Sequence, residues 1–399
     1  MVNEALSSAG GSAPSSGPDF PASADVVIIG GGVMGASAAF HLAEAGVRVV
    51  LVERDQLASG STSKAAGGIR AQFSDELNIT IAMRSIAAFE AFGTRPGADI
   101  SLHQNGYLFL LTTEADVESV TRDVELQRSL GVPSVMLTPQ QAAELSPFVN
   151  VDDVLGASFC PIDGHCTPES VVLGYSVGAR ELGARILTNT EVTGITMDGQ
   201  MITGVETPRG SIATSTVICT AGAWSPAVGT MVGIKIPVVP VRRPIWFTEP
   251  MDNVPKDCPM TIDFTSGFYF HPEGPGLLFG MADRDQPAGF EHDIKPDWLE
   301  TVSEEIAKRA PALLDVGVAG GWTGFYEVTP DHNALIGEST KVSRFLYATG
   351  FSGHGFLQGP AVGEILRDFV LRQTPFVDVS GLSIERFEHG GSRPERRIV

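Results

Sequence analysis

Three glycines spaced Gly30-x-Gly32-x-x-Gly35 stand where an apolar β-branched run, Asp25-Val-Val-Ile-Ile29, meets a stretch of small residues. Without side chains, the chain turns tightly and brings a phosphate against the N–H groups that open a helix. Val33 and Met34 occupy the variable positions of that turn. Glu53 follows the next apolar run, Val47 to Val52, 23 residues after Gly30, where a carboxylate accepts hydrogen bonds from a ribose. A glycine-rich turn serving packing alone does not account for Glu53. A carboxylate there also disfavours a 2′-phosphate, so this is chemistry for an unphosphorylated dinucleotide.

Two further segments decide which dinucleotide. Ser59-Gly-Ser-Thr-Ser-Lys-Ala-Ala-Gly-Gly68 is a loop of small residues. The loop, which includes Ala66, Gly67 and Gly68, suits close backbone approach of a bulky ring and hydroxyl contacts to phosphate. Gly350-Phe-Ser-Gly-His-Gly-Phe356 precedes a C-terminal helix whose N-terminus can stabilise negative charge on a reduced flavin. Each loop alone reads equally as a surface turn. Together with the fingerprint they favour FAD, because an NAD enzyme has no use for the returning turn.

Four side chains are candidates for substrate chemistry. Arg70 follows two glycines in the flavin-side loop, where a guanidinium grips a carboxylate by paired hydrogen bonds; an ion pair with the acidic segment after Asp75 is the alternative. Tyr269 and His271 alternate along one strand and share a face, so either can hold an amine or carboxylate, with a satisfied core histidine the bland alternative for His271. His354 lies in the flavin-side turn, shaping its electrostatics or only its structure. Tyr326 and Glu327, just before Thr329-Pro330, are weaker candidates.

The elements that position these groups read as an α/β fold. A Rossmann-like FAD-binding domain is expected over 23–95, 160–230 and 330–373, interrupted by an antiparallel-sheet substrate domain over 96–159 and 231–329. Residues 1–22 read as a flexible leader and 374–399 as a C-terminal tail. Helices are expected over 36–45, 76–92, 114–130, 168–182 and 360–371, with strand-like runs alternating with turns from Ile236 to Thr329.

Among the 399 residues, 27 Lys and Arg against 47 Asp and Glu leave a formal charge of −20, which opposes nucleic acid and anionic membrane as partners. Cys160, Cys166, Cys219 and Cys258 lack C-x-x-C spacing and read as reduced packing residues; no metal site is expected. No basic residue precedes Arg48, so neither a secretory signal nor a transit peptide is read, and a cytoplasmic location is expected. No apolar run reaches the ~18 residues of a membrane span.

With these motifs quoted, the sequence resembles the D-amino-acid oxidase superfamily of FAD-dependent oxidoreductases, on its sarcosine oxidase, glycine oxidase and dimethylglycine dehydrogenase side. Thr220-Ala-Gly-Ala-Trp224 and Thr329-Pro-Asp331 add to the match, which runs from Asp25 to about Leu371. The resemblance implies that Glu53 and Arg54 meet the adenosine end, Ser61 and Thr62 the pyrophosphate or flavin side, and that Val192 neighbours adenine through its backbone. It places Gly222 and Trp224 at the cofactor, with Gly353, His354, Gly355, Phe356 and Leu357 along the isoalloxazine. Where dimethylglycine dehydrogenase-like members carry a flavin-linking histidine, this chain has Lys64, implying non-covalent FAD. Leu278 and Leu357 replace two lysines of the monomeric sarcosine oxidases, one implicated in oxygen activation and one in carboxylate binding. Their loss argues against fast oxygen reaction and for a substrate larger or less acidic than sarcosine.

The expected reaction is oxidation of an amine or amino acid, secondary or N-methylated, by hydride transfer to flavin, giving an imine that hydrolyses; O2 or another acceptor takes the electrons. The rivals are an FAD-dependent 2-hydroxy-acid dehydrogenase and a flavin-bearing β-type subunit that works with a partner polypeptide.

Overall fold

A computed structural model describes residues 20–395 apart from 253, 295 and 389. Strand Val26–Ile29 lies inside a six-stranded sheet, parallel to Val49–Val52 on one side and Val217–Cys219 on the other. Arg185–Leu187 and Phe345–Thr349 continue the sheet in parallel, and Leu335–Glu338 closes one edge antiparallel. The runs VVII and VVLV are buried at every position, as expected for parallel strands covered on both faces. Helices Val33–Glu44, Glu76–Glu90, Pro168–Glu181 and Gly355–Leu371 pack on one face through a single apolar cluster.

The second large sheet has eight strands. In spatial order they are Val318–Val328, Val239–Thr248, Gly276–Gly280, Tyr269–Glu273, Met260–Asp263, Tyr107–Leu111, Gly156–Cys160 and Val135–Leu137. Every neighbouring pair is antiparallel except Met260–Asp263 with Tyr107–Leu111. Arg309 and Asp263, both almost solvent-free, form an ion pair at 2.7 Å that ties this sheet to the helix ending at Arg309.

Several sequence-based expectations are corrected. The region from Ile236 to Thr329 is not all strand and turn: Pro296–Arg309 is a helix. Its Val302 and Ile306, four apart, seat against a cluster containing Phe268, Phe270 and Leu277, so tertiary burial completes a helical spacing visible in the sequence. The last helix begins at Gly355, not Pro360; the proline sits inside it and removes only its own N–H from the ladder. The expected leader lies outside the described residues up to 19. Residues 20–22 are part of the fold, since Phe20 packs on the core and the Ala22 carbonyl accepts from Ala213 N–H at 2.9 Å. Residues 374–395 are stitched to the body through Arg386–Asp331 and Arg393–Asp75 ion pairs.

The four cysteines are buried thiols. Among the described residues no helix is long and apolar enough to cross a membrane.

Candidate active site

One cavity of about 450 Å³ runs from the glycine fingerprint to the eight-stranded sheet, within the range of small-molecule and cofactor sites. The fingerprint explains its floor. At Gly30, with φ of +112°, an added Cβ would fall 2.5 Å from the Thr220 carbonyl oxygen, and at Gly35 it would fall 1.9 Å from the Gly30 oxygen. Helix Val33–Glu44 therefore starts hard against the turn. Its N-cap Gly32 offers no side-chain cap and its first turn carries no acid, which leaves the positive end of the dipole for an anion. Thr62 Oγ1 accepts from Val33 N–H at 3.2 Å, and Ser61 Oγ is buried without a partner. Glu53 accepts from Gly31 N–H at 2.6 Å and from Asp55 N–H at 2.8 Å, fixing its carboxylate at the cavity edge.

These features fit a dinucleotide pyrophosphate and ribose. At the far end the second helix N-terminus, Gly355 to Leu357, also opens on the cavity without an acid in its first turn. His354 precedes it, its ring edge-on to Phe73 at 5.1 Å. Gly353 has φ of +101°, and an added Cβ would fall 2.4 Å from the Tyr326 ring, so glycine lets the turn lie flat beneath that tyrosine.

The cavity brings together Gly30, Gly32, Val33, Met34, Glu53, Arg54, Ser61, Thr62, Ala66, Gly67, Gly68, Val192, Gly222 and Trp224 with Gly353 to Leu357, and with Arg70 and Tyr269. Gly35 stands behind it, in the turn-to-helix contact. Tyr326 and Glu327 also line it. His271 does not, which corrects the expectation that it faces substrate beside Tyr269. Two residues along the same face, the loop at Ala66 covers the sheet; His271 lies beneath it with Nε2 3.1 Å from the Ala66 carbonyl and Nδ1 2.8 Å from that of Pro272. Burial lowers its pKa to about 4. Leu278, paired with His271 across the strands, is likewise outside the lining.

His165, His271 and Glu273 bring potential ligand atoms within 4.8 Å of one another. Both His271 nitrogens lie within hydrogen-bond distance of carbonyl oxygens, however, so the ring is turned to the backbone rather than to a shared ion.

Sequence reasoning missed Tyr107, Met260, Ile262, Arg243 and His292, all on the cavity wall. Arg243 had a signal: an arginine pair inside the strand-forming run Val241-Arg-Arg-Pro-Ile-Trp246 must turn one guanidinium to each face. Burial raises the hydroxyl pKa of Tyr107, Tyr269 and Tyr326, so all three stay protonated donors near neutrality. Arg70 is buried; it donates to the Gln72 carbonyl and stacks at 4.2 Å over Phe73. Asp163 holds the same loop, accepting from Ala71 N–H at 2.8 Å and Gln72 Nε2 at 3.1 Å. Burial pushes its pKa to about 6. Burial likewise raises Glu327 to about 7, against opposing hydrogen bonds from Phe351 N–H and the Thr349 hydroxyl.

A parallel sheet with a dinucleotide cradle, facing a second sheet across one cavity lined by polar and apolar groups, defines a flavin-type oxidoreductase. The chain belongs to the FAD-dependent oxidoreductase (DAO) family, whose profile it matches over residues 25–369, and FAD is its cofactor. It is similar to mouse (Mus musculus) mitochondrial dimethylglycine dehydrogenase, 30% identical, over 95% of this chain and 46% of that protein. Human (Homo sapiens) mitochondrial sarcosine dehydrogenase is 31% identical over 92% of this chain and 42% of that protein. The chain thus spans less than half the length of these curated relatives. Among solved structures, L-proline dehydrogenase from P. horikoshii superposes with a TM-score of 0.90 at 33% identity, covering 94% of this chain and 100% of that one. Glycine oxidase from Geobacillus kaustophilus gives 0.82 at 27% identity, covering 91% and 98%.

Proposed function

We propose that this chain oxidises a secondary or N-methylated amino acid, the substrate lying between the eight-stranded sheet and the turn at Gly353. The observation that carries this reading is the continuity of one cavity from the fingerprint to a wall bearing Arg70, Arg243 and the tyrosines Tyr107, Tyr269 and Tyr326. The relatives support it by name, since dimethylglycine, sarcosine and L-proline all carry their amine beside a carboxylate.

When bound, FAD supplies the two-electron acceptor for a hydride from the substrate carbon next to nitrogen. The chain supplies the rest. The guanidiniums of Arg70 and Arg243 disfavour a further cation beside them, so the bound amine is held in its neutral form. The tyrosine hydroxyls donate to substrate oxygens, and the sheet excludes water until the imine leaves to hydrolyse. Lys64, at the position linked to flavin in some relatives, forms no such bond in this reading, so acid precipitation releases all the flavin as FAD; flavin left in the pellet refutes that part.

The test is anaerobic bleaching of the flavin with N-methyl amino acids, proline, primary amino acids, plain amines and 2-hydroxy acids. Reduction by secondary amino acids is expected; reduction by hydroxy acids alone overturns the reading. A second reading, a flavin unit that needs another polypeptide, is supported by the greater length of the curated relatives. Reduction of the purified chain with turnover through an artificial acceptor decides against it.

A further inference from the structure

Resting on the amino-acid reading above, we propose that Arg243 is the residue that receives the substrate carboxylate and so restricts this cavity to amino acids over plain amines. The strand sets up the choice. Arg242 and Arg243 point to opposite faces, and Arg242 is consumed holding the neighbouring segment, donating to Gln286 Oε1 at 2.6 Å and to the Asp293 carbonyl.

Arg243 turns to the cavity, paired in the register with Gly324. It stacks at 4.9 Å over Tyr326 and donates Nη1 to the Arg242 carbonyl at 3.0 Å. No carboxylate among the described residues lies within ion-pair distance of it. Its Nε is shielded from solvent and has no acceptor.

A shielded guanidinium donor without a partner is unfavourable, and the planar fork matches a carboxylate by two parallel bonds. Arg70 differs. It already donates to the Gln72 carbonyl and has Asp163 and Glu395 within electrostatic reach. Asp283 acts on Arg243 electrostatically without reaching ion-pair distance. Of Arg70 and Arg243, the less compensated guanidinium is therefore Arg243, with the Tyr326 and Tyr269 hydroxyls nearby as neutral donors.

The test needs no turnover. Acetate and propionate, and their amides acetamide and propionamide, are titrated into the FAD-loaded protein while the flavin absorption band is followed. Wild type is expected to bind the acids more tightly. Arg243→Met should weaken acid binding by roughly ten- to hundredfold, the range of a lost charge-assisted contact, with amide affinity unchanged and Arg243→Lys recovering part of the loss. If Arg243→Met fails to retain FAD, Arg243→Gln, closer in shape, serves the same comparison. Equal weakening of acids and amides overturns the proposal, as does a selective loss found in Arg70→Lys but not at Arg243. A protein that binds acids through Arg243 yet is bleached by no amine leaves this inference standing and sinks the amine-oxidation reading instead.

Discussion

The floor and the wall of the cavity are built on different principles. The floor is backbone: helix N-termini, glycine turns and one carboxylate, supplied mainly by residues 30–68 and 353–357. The wall is side chains: Tyr107, Arg243, Tyr269 and Tyr326 come from four strands spread over more than two hundred positions of the chain. Backbone recognition tolerates little change because main-chain atoms cannot move aside, whereas a wall of side chains can be retuned one residue at a time.

The largest effect expected is on the floor. Gly35→Ala puts a methyl 1.9 Å from the Gly30 carbonyl oxygen, and overpacking of this kind costs about 1–3 kcal/mol or more. The purified variant should be colourless or mostly apoprotein with a lowered melting temperature. Stoichiometric flavin absorbance in that variant would show that the tight turn is dispensable.

Next is Glu53→Gln, which exchanges a charged acceptor for a mixed donor and acceptor at a contact worth about 1.5–3 kcal/mol. Reconstitution of apoprotein with FAD should show roughly ten- to hundredfold weaker binding, and unchanged affinity would remove Glu53 from the site. On the wall, Tyr326→Phe should keep its FAD and raise the substrate dissociation constant by no more than about tenfold, the loss of one neutral hydrogen bond of about 0.5–1.5 kcal/mol. Loss of flavin in that variant would erase the distinction between the two regions.

The smallest effect is a pH slope. Glu327 joins floor and wall, and its folded pKa of about 7 lies above the ordinary 4.5. The folded state therefore holds a proton that the unfolded state has released between those values, so this group's contribution to stability is present below pH 4.5 and is lost as pH rises through 7. Melting temperature followed across that window should fall less steeply in Glu327→Gln. Parallel curves would mean that Glu327 is not held protonated.

The fingerprint, Glu53 and the two flavin-side loops were legible because each depends on residues close in sequence whose backbone geometry leaves few alternatives. Helix Pro296–Arg309 escaped because it sits among strands and its apolar stripe is short. Tyr269 and His271 show the limit of strand alternation: it puts both on one face but does not say where along that face the cover begins. The loop at Ala66 covers His271 and leaves Tyr269 open.

Arg70 and Arg243 mark the same division more sharply. Sequence alone determined the class of cofactor and the parallel sheet that carries it, since phosphate binding at a helix N-terminus is a property of a contiguous βαβ unit. Only the tertiary structure decided which arginine remains to meet a substrate. That depends on the carbonyl of Gln72, on Asp163 and on the terminal segment at Glu395 reaching Arg70, while Arg243 meets the Tyr326 ring. None of these partners is near its arginine by sequence rule except Gln72; the long-range packing that assembles them sets the charge each guanidinium has left to offer.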